Sequence, residues 1–210
     1  IEAGKALRKK NTRQSLGIFK PPVKRPDPIA LLEKQGKTRI QELVPIRYAR
    51  MLTSPFAFLR GSAGIMAGDI ACSNKNSGLI VQACGDMHVA NFGVFSSAER
   101  NLVFGINDFD ETLPAPFEWD LKRLVTSIVA SGQFLGADKN KCEESIRSAV
   151  STYRKKIKQY AKMGNLELWY STIKEKDILG ALNTSAREGA EKLFSKARTR
   201  THMQVLGKLT

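Results

Sequence analysis

Two short apolar runs, residues 79–84 (LIVQAC) and 101–106 (NLVFGI), each end at a turn that carries an aspartate. Their length, β-branched content and flanking turn residues mark them as strands. They limit the fold more than anything else in the chain, because almost every other apolar pattern repeats at helical spacing. The sequence therefore predicts an α+β protein, mostly helical, with its two strands at the centre. Between them DMHVANFGVFSSAER carries its own turn signals and is expected to be a loop. Paired as a short β-hairpin, the strands would bring Asp86 and Asp108 to one end, and Asn91 could turn back toward the same point.

The helical reading starts at residues 28–43, where Ile29, Leu32, Ile40 and Leu43 lie near helical spacing around an interrupting Gly36. Residues 45–53 open with a proline suited to a first helical turn. SPFAFLRGSAGIMAGDIA then predicts a short strand and loop followed by a helix of small residues. A helix over 119–135 sets Leu121, Leu124, Val125, Ile128 and Val129 on one face, and a longer one over 138–162 repeats Ile146, Val150, Tyr153 and Ile157. The helical pattern continues through LELWYSTI and 186–206. Residues 1–28, basic and ending in Pro21, Pro22, Pro26 and Pro28, read as an N-terminal arm with one short helix. Residues 29–210 read as one domain, with its chemistry in a core over 79–131.

Composition removes several classes. No apolar run approaches the 18 residues of a membrane span. Cys72, Cys84 and Cys142 are odd in number and form no C-x-x-C pair, and His88 and His202 are the only histidines. A disulfide framework and a structural zinc site are thereby disfavoured, and a reducing cytoplasm is expected. The net charge of +14 is uneven. Residues 1–60 hold fourteen Lys/Arg against four Asp/Glu, residues 61–135 four against eight, and residues 136–210 sixteen against eight. Basic flanks around an acidic centre suit a polyanion, whether nucleic acid, an anionic surface or nucleotide phosphates, and equally suit an ordinary solvated surface.

The acidic centre carries the chemistry. Its three segments are CGDMHVANFG (84–93), GINDFDE (105–111) and PFEWDL (116–121). One carboxylate can orient an attacking hydroxyl and accept its proton, while a second carboxylate and an amide oxygen hold Mg²⁺. Acidic turns at strand ends also arise as plain capping, so the pattern alone leaves both accounts open.

G-D-M-H-V-A-N resembles the catalytic loop of aminoglycoside-phosphotransferase-like and choline-kinase-like enzymes. I-N-D-F-D is similar to their metal-binding segment, and Pro116 to Leu121 resembles the P-x-x-x-D-L that follows it. With SPFAFLRG upstream and EWDLKRL downstream, the whole string resembles a bacterial family, domain of unknown function 2252, most strongly over Leu43 to Ser131. The resemblance implies a kinase-like core, corresponding to the C-lobe of such enzymes and a fragment of a larger bilobal domain. It implies Asp86 as base with His88 supporting the loop, and Asn91, Asp108 and Asp110 on the metal. Asp120 would accept hydrogen bonds from the loop backbone. Mg²⁺ would be the cofactor, ATP the donor, and a hydroxyl of a small molecule or peptide the acceptor.

The sequence departs from a kinase in lacking an upstream G-x-G-x-x-G and a V-A-I-K strand. Gly61 and Gly64 after Arg60 are the one upstream substitute, and close helix packing explains them better. Arg60 and Arg123 are the candidate partners of a phosphate or of the acidic cluster. Phe56, Phe58, Phe92, Phe95, Phe104 and Phe109 are expected in the core, and Cys84 as a small buried side chain. Three functions remain in play: a Mg²⁺-dependent phosphotransferase, a catalytically silent kinase-like module that binds nucleotide or metal, and a nucleic-acid-binding protein working through its basic flanks.

Overall fold

Prolines and short polar caps set several of the helix starts. Asp27 accepts from the amides of Ile29 (3.1 Å) and Ala30 (3.4 Å) ahead of Pro28, and Ser54 Oγ accepts from Ala57 N (3.0 Å) ahead of Pro55. Both pairings satisfy first-turn donors that have no partner within the helix. The computed structural model describes residues 2–21, 25–72 and 76–199. Its elements in the first half of the chain are α1 (Glu2–Lys10), α2 (Arg13–Leu16), α3 (Pro28–Gly36), α4 (Val44–Met51), α5 (Pro55–Gly61), α6 (Ala63–Ala71), β1 (Ile80–Ala83) and β2 (Phe92–Ser96). Then come β3 (Leu102–Ile106), β4 (Leu113–Pro116), α7 (Glu118–Phe134), α8 (Lys139–Tyr160), α9 (Asn165–Trp169), β5 (Ile173–Lys174), α10 (Glu175–Ala181) and α11 (Thr184–Thr199). The protein is α+β and mostly helical, with small antiparallel sheets. Among the described residues no helix is long and apolar enough to cross a membrane.

The chain divides into two compact units, one drawn from Ile1–Val89 and Asp108–Ile157, the other from Ala90–Asn107 and Lys158–Thr210. In the first, Leu32, Met51 and Ile65 form a buried cluster against which Leu31, Tyr48 and Phe58 pack. Helix α5 approaches α4 so closely that a Cβ on Gly61 would lie 2.5 Å from Met51 Cγ, while one on Gly64 would lie 2.1 Å from Gln35 Nε2. These glycines serve helix packing. Phe117 and Tyr153 stack at 6.4 Å, and a Cβ on Gly132 would meet Cys142 Sγ at 2.8 Å, so α7 and α8 are in close contact. In the second unit β2 and β3 pair from Phe92↔Ile106 to Ser96↔Leu102, and β5 adds to β3 through Val103↔Lys174. Phe92 and Phe104 stack at 6.0 Å on that sheet, and Phe194 of α11 is fully buried.

The two predicted strands do not pair with each other. β1 pairs with β4, Ile80↔Pro116 to Ala83↔Leu113, and β3 pairs with β2. The apolar content of FGVFS is masked by its glycine and serine, and that of LPAP by its prolines. Prolines are tolerated in β4 because a two-stranded sheet consists of edges only. Each predicted strand thus found a partner in a segment that reads as loop. The expected strand over 54–60 is helix α5, since Ser54 caps it and Pro55 begins it. The arm carries two short helices rather than one. The continuous helix expected from 166 breaks at Tyr170 and again before Thr184, and residues 200–206 lie outside the described residues. Phe95 (42% exposed) and Phe109 (54% exposed) are not core residues.

Candidate functional site

The end of β1 is held by the first turn of α7. Asp120 accepts from Cys84 N through Oδ2 (2.7 Å) and from Gly85 N through Oδ1 (3.0 Å). Gly85 adopts φ +80°, and a Cβ there would lie 2.0 Å from the carbonyl oxygen of Glu111. Only glycine allows both that conformation and that approach. Thr112 Oγ1 donates to Ala83 O (2.7 Å), and the Cys84 thiol lies 3.6 Å from Asp108 O. Further along, Val89 N donates to Ser127 Oγ (3.1 Å), a hydroxyl buried on α7. The segments 84–89 and 108–112 are in this way sewn to each other and to α7.

Asp86 sits on this framework, half-buried. Arg123 Nε donates to its Oδ1 at 2.6 Å, and Arg123 Nη2 pairs with the same oxygen. His88 Nε2 stands 3.5 Å from Oδ2. Burial pushes the Asp86 carboxyl up, but the hydrogen bond from His88 and the charge and hydrogen bond of Arg123 outweigh it and hold the group below the usual carboxylate range. Arg123 is itself 2% exposed, and its Nη2 also donates to Leu59 O (2.7 Å), which ties α7 to α5. His88 is buried edge-on to Phe56, with ring centroids 6.3 Å apart, and its Nδ1 has no hydrogen-bond partner among the described residues.

The second acidic segment lies toward solvent. Asp108 Oδ1 accepts from Asp110 N (3.1 Å), which closes a tight Asx turn, and Asp108, Asp110 and Glu111 are all exposed. Partial desolvation pushes the Glu111 carboxyl up, and the charges of Asp86, Asp108 and Asp110 push the same way. Those four carboxylates therefore share one negative field. A hard divalent cation relieves such a field, and oxygen donors are the chemistry Mg²⁺ takes. Among the described residues no group of three or more His, Cys, Asp or Glu side chains is placed to hold a metal ion.

The other predicted residues fall elsewhere. Asn91 belongs to the second unit, where it is buried and its carbonyl accepts from Asn107 N (3.0 Å). Arg60 is exposed at the end of α5. Three residues that sequence reasoning passed over have clear places. Glu118, buried, accepts from Ser77 N (2.6 Å) and Ser77 Oγ (2.7 Å), joining the approach to β1 to α7. Ser127 anchors the loop from the same face of α7 as Arg123, one turn further along the helix. Arg47 of α4 donates through Nη2 to Gly61 O (2.6 Å). Burial and the neighbouring Arg39 lower the tendency of Arg47 to hold its proton, against the opposing charges of Glu111 and Asp86. Nothing in PIRYAR distinguishes it from a surface arginine.

No curated protein and no solved structure matches this chain. The string from Leu43 to Ser131 falls within the segment, residues 39–210, that matches the family model described as "Uncharacterized protein conserved in bacteria (DUF2252)", and the chain belongs to that family.

Proposed function

We propose that this protein is a cytoplasmic, Mg²⁺-dependent phosphotransferase that moves a phosphoryl group from ATP to a hydroxyl of a small molecule or peptide. The observation that carries the reading is the placement of Asp86. Its carboxylate is fixed from behind by Arg123 and His88, on a loop whose amides are held by Asp120, beside the exposed turn of Asp108 and Asp110. In this reading Asp86 orients the acceptor hydroxyl and takes its proton. Asp108 and Asp110 would hold Mg²⁺ through their carboxylate oxygens, and the ion would neutralise charge on the transferring phosphate. Arg123 sets the direction of the Asp86 carboxylate, and Asp120 keeps the loop at the helix start.

The depressed Asp86 favours a second reading. A carboxylate engaged by a buried guanidinium is a weak base, which suits a module that binds nucleotide without turning it over. Calorimetric titration of ATP with and without Mg²⁺, on the chain and on Asp108→Asn, tests both. Binding that needs Mg²⁺ and collapses in the variant supports the common site. ATP consumption lost on Asp86→Ala then selects the phosphotransferase, and absence of Mg²⁺-dependent binding overturns both readings.

A further inference from the structure

Phosphoryl transfer needs a cation on the donor phosphates, and the sequence offers no glycine-rich loop to supply one. A narrow cleft between α3 and α4 carries two arginines, Arg39 and Arg47, with Gln35, Tyr48 and Val44 on its walls. The two guanidiniums are close enough for the charge of Arg39 to act against that of Arg47. Neither forms an ion pair among the described residues. Like charges held together on a partly desolvated surface are unfavourable, and an anion seated between them would relieve that beyond what Glu111 and Asp86 already do for Arg47.

Two further features frame the cleft. Gly36 lies at the base of the cleft, where a Cβ would be 3.2 Å from Tyr48 Oη and 3.8 Å from Val44 Cγ1, so the two helices pack closely below the arginines. Gln41 Nε2 bonds the carbonyls of Gly36 (2.9 Å) and Arg39 (2.8 Å), which fixes the turn that presents Arg39. Arg47 also feels Glu111 and Asp86 from its other side, which puts it between the cleft and the acidic turn.

We propose that Arg39 and Arg47 form a phosphate-binding site in the α3–α4 cleft, taking the oxyanions of a polyphosphate. The cleft is narrow, so a phosphate group seats at its mouth between the guanidiniums while the rest of a ligand stays outside. The site rests on the phosphotransferase reading only for its role, as the clamp on the donor phosphates. Its existence stands on the arginine pair alone.

The test is calorimetric titration of pyrophosphate, without Mg²⁺, into the full chain and into Arg39→Gln, Arg47→Gln and Arg50→Gln. Losing one charge-assisted phosphate contact is expected to weaken binding about tenfold or more. Arg39→Gln and Arg47→Gln should both show that loss, and Arg50→Gln, an exposed arginine on the same helix outside the cleft, should stay within about twofold. Arg47 also supports Gly61 O, so the exposed Arg39 is the variant that decides if Arg47→Gln does not fold. No pyrophosphate binding by the parent chain, or an equal loss in Arg50→Gln, overturns the proposal. ATP binding more tightly than pyrophosphate identifies a nucleotide as the source of the phosphate, and equal affinity identifies free polyphosphate; both support the site. Asp108→Asn should leave pyrophosphate binding intact. If the arginine pattern holds and Mg²⁺-dependent ATP binding is absent, the anion site stands and the phosphotransferase reading falls.

Discussion

Replacing Arg123 with methionine keeps most of the apolar stem and removes the guanidinium that holds Asp86. The side chain is 2% exposed and Asp86 only 13%, so the carboxylate left behind stays largely out of water with its charge uncompensated. Deleting one partner of a buried ion pair costs about 3–5 kcal/mol at neutral pH. Leu59 O loses one donor but keeps Ser62 N (3.1 Å) and Ser62 Oγ (3.3 Å), so the carbonyl adds little to that loss. For a chain of this size that is a fall in Tm of roughly 6–20 °C. The sign with pH follows from the carboxyl. In the parent chain Asp86 sits below its unfolded value, so its contribution is complete above the ordinary carboxylate range and is lost as pH falls through the depressed value. Without Arg123 the Asp86 pKa is higher. The penalty is then full at neutral pH and narrows as pH falls from the variant's pKa toward the parent's. Urea unfolding followed by circular dichroism from pH 7 down to pH 4 measures both effects. A loss under about 1 kcal/mol would refute the buried pair, as would a penalty that stays constant down through the variant's Asp86 pKa. In an Asp86→Asn background the same substitution should cost less, by at least about 1.5 kcal/mol of coupling.

Asp120→Asn keeps one acceptor oxygen for two amides, so it should cost about 2 kcal/mol and speed hydrogen exchange at Cys84 and Gly85, read by NMR. Gly85→Ala forces a side chain into positive φ and onto the Glu111 carbonyl, at a cost of at least about 3 kcal/mol. Gly64→Ala meets only the movable end of Gln35 and should cost under about 1 kcal/mol; thermal melts that rank the two equally would contradict the close backbone approach. Iodoacetamide with mass-spectrometric readout should label the exposed Cys72 first. Cys84 should lag, because it is buried and because burial, with the charges of Asp120, Asp86 and Asp108, raises its thiol pKa.

The helices were legible where a cap and an apolar period coincide. Pro45 and the stripe from Leu121 to Val129 lie on helices within a residue or two of the expected bounds, while the helix read over 28–43 starts at Pro28 but ends at the interrupting Gly36. The strands were half legible. Ile80–Ala83 and Leu102–Ile106 are strands, but register was assigned to the wrong partners, because LPAP and FGVFS carry the residues least favoured in strands. The site was legible as a list of acids, since Asp86, Asp108 and Asp120 all lie at element ends. Its positive side was legible only in part. Of the two arginines named as candidate partners, Arg123 pairs with Asp86 and Arg60 is exposed, whereas Arg47 looks like any surface arginine on a helix and only tertiary packing turns it toward a cleft. Period and propensity specify which face of a helix is apolar, whereas a buried charge is specified by what happens to stand opposite it.

That buried charge bears directly on how Asp86 could act. A carboxylate held by a guanidinium loses basicity and gains a fixed direction. In a loose phosphoryl-transfer transition state the acceptor proton becomes acidic late, once the new bond to phosphorus begins to form, so base strength contributes less than orientation. Arg123 on Oδ1 and His88 near Oδ2 restrain rotation of the group, and Asp120 restrains the loop that carries it. Ion pairing is therefore compatible with a base that orients, although it would disable one that had to abstract a proton first. What separates an active enzyme from a silent binder on this framework is then the placement of the donor phosphates. On the proposed reading, that placement would fall to the acidic turn at Asp108 and to the arginines of the α3–α4 cleft, more than to the proton affinity of Asp86.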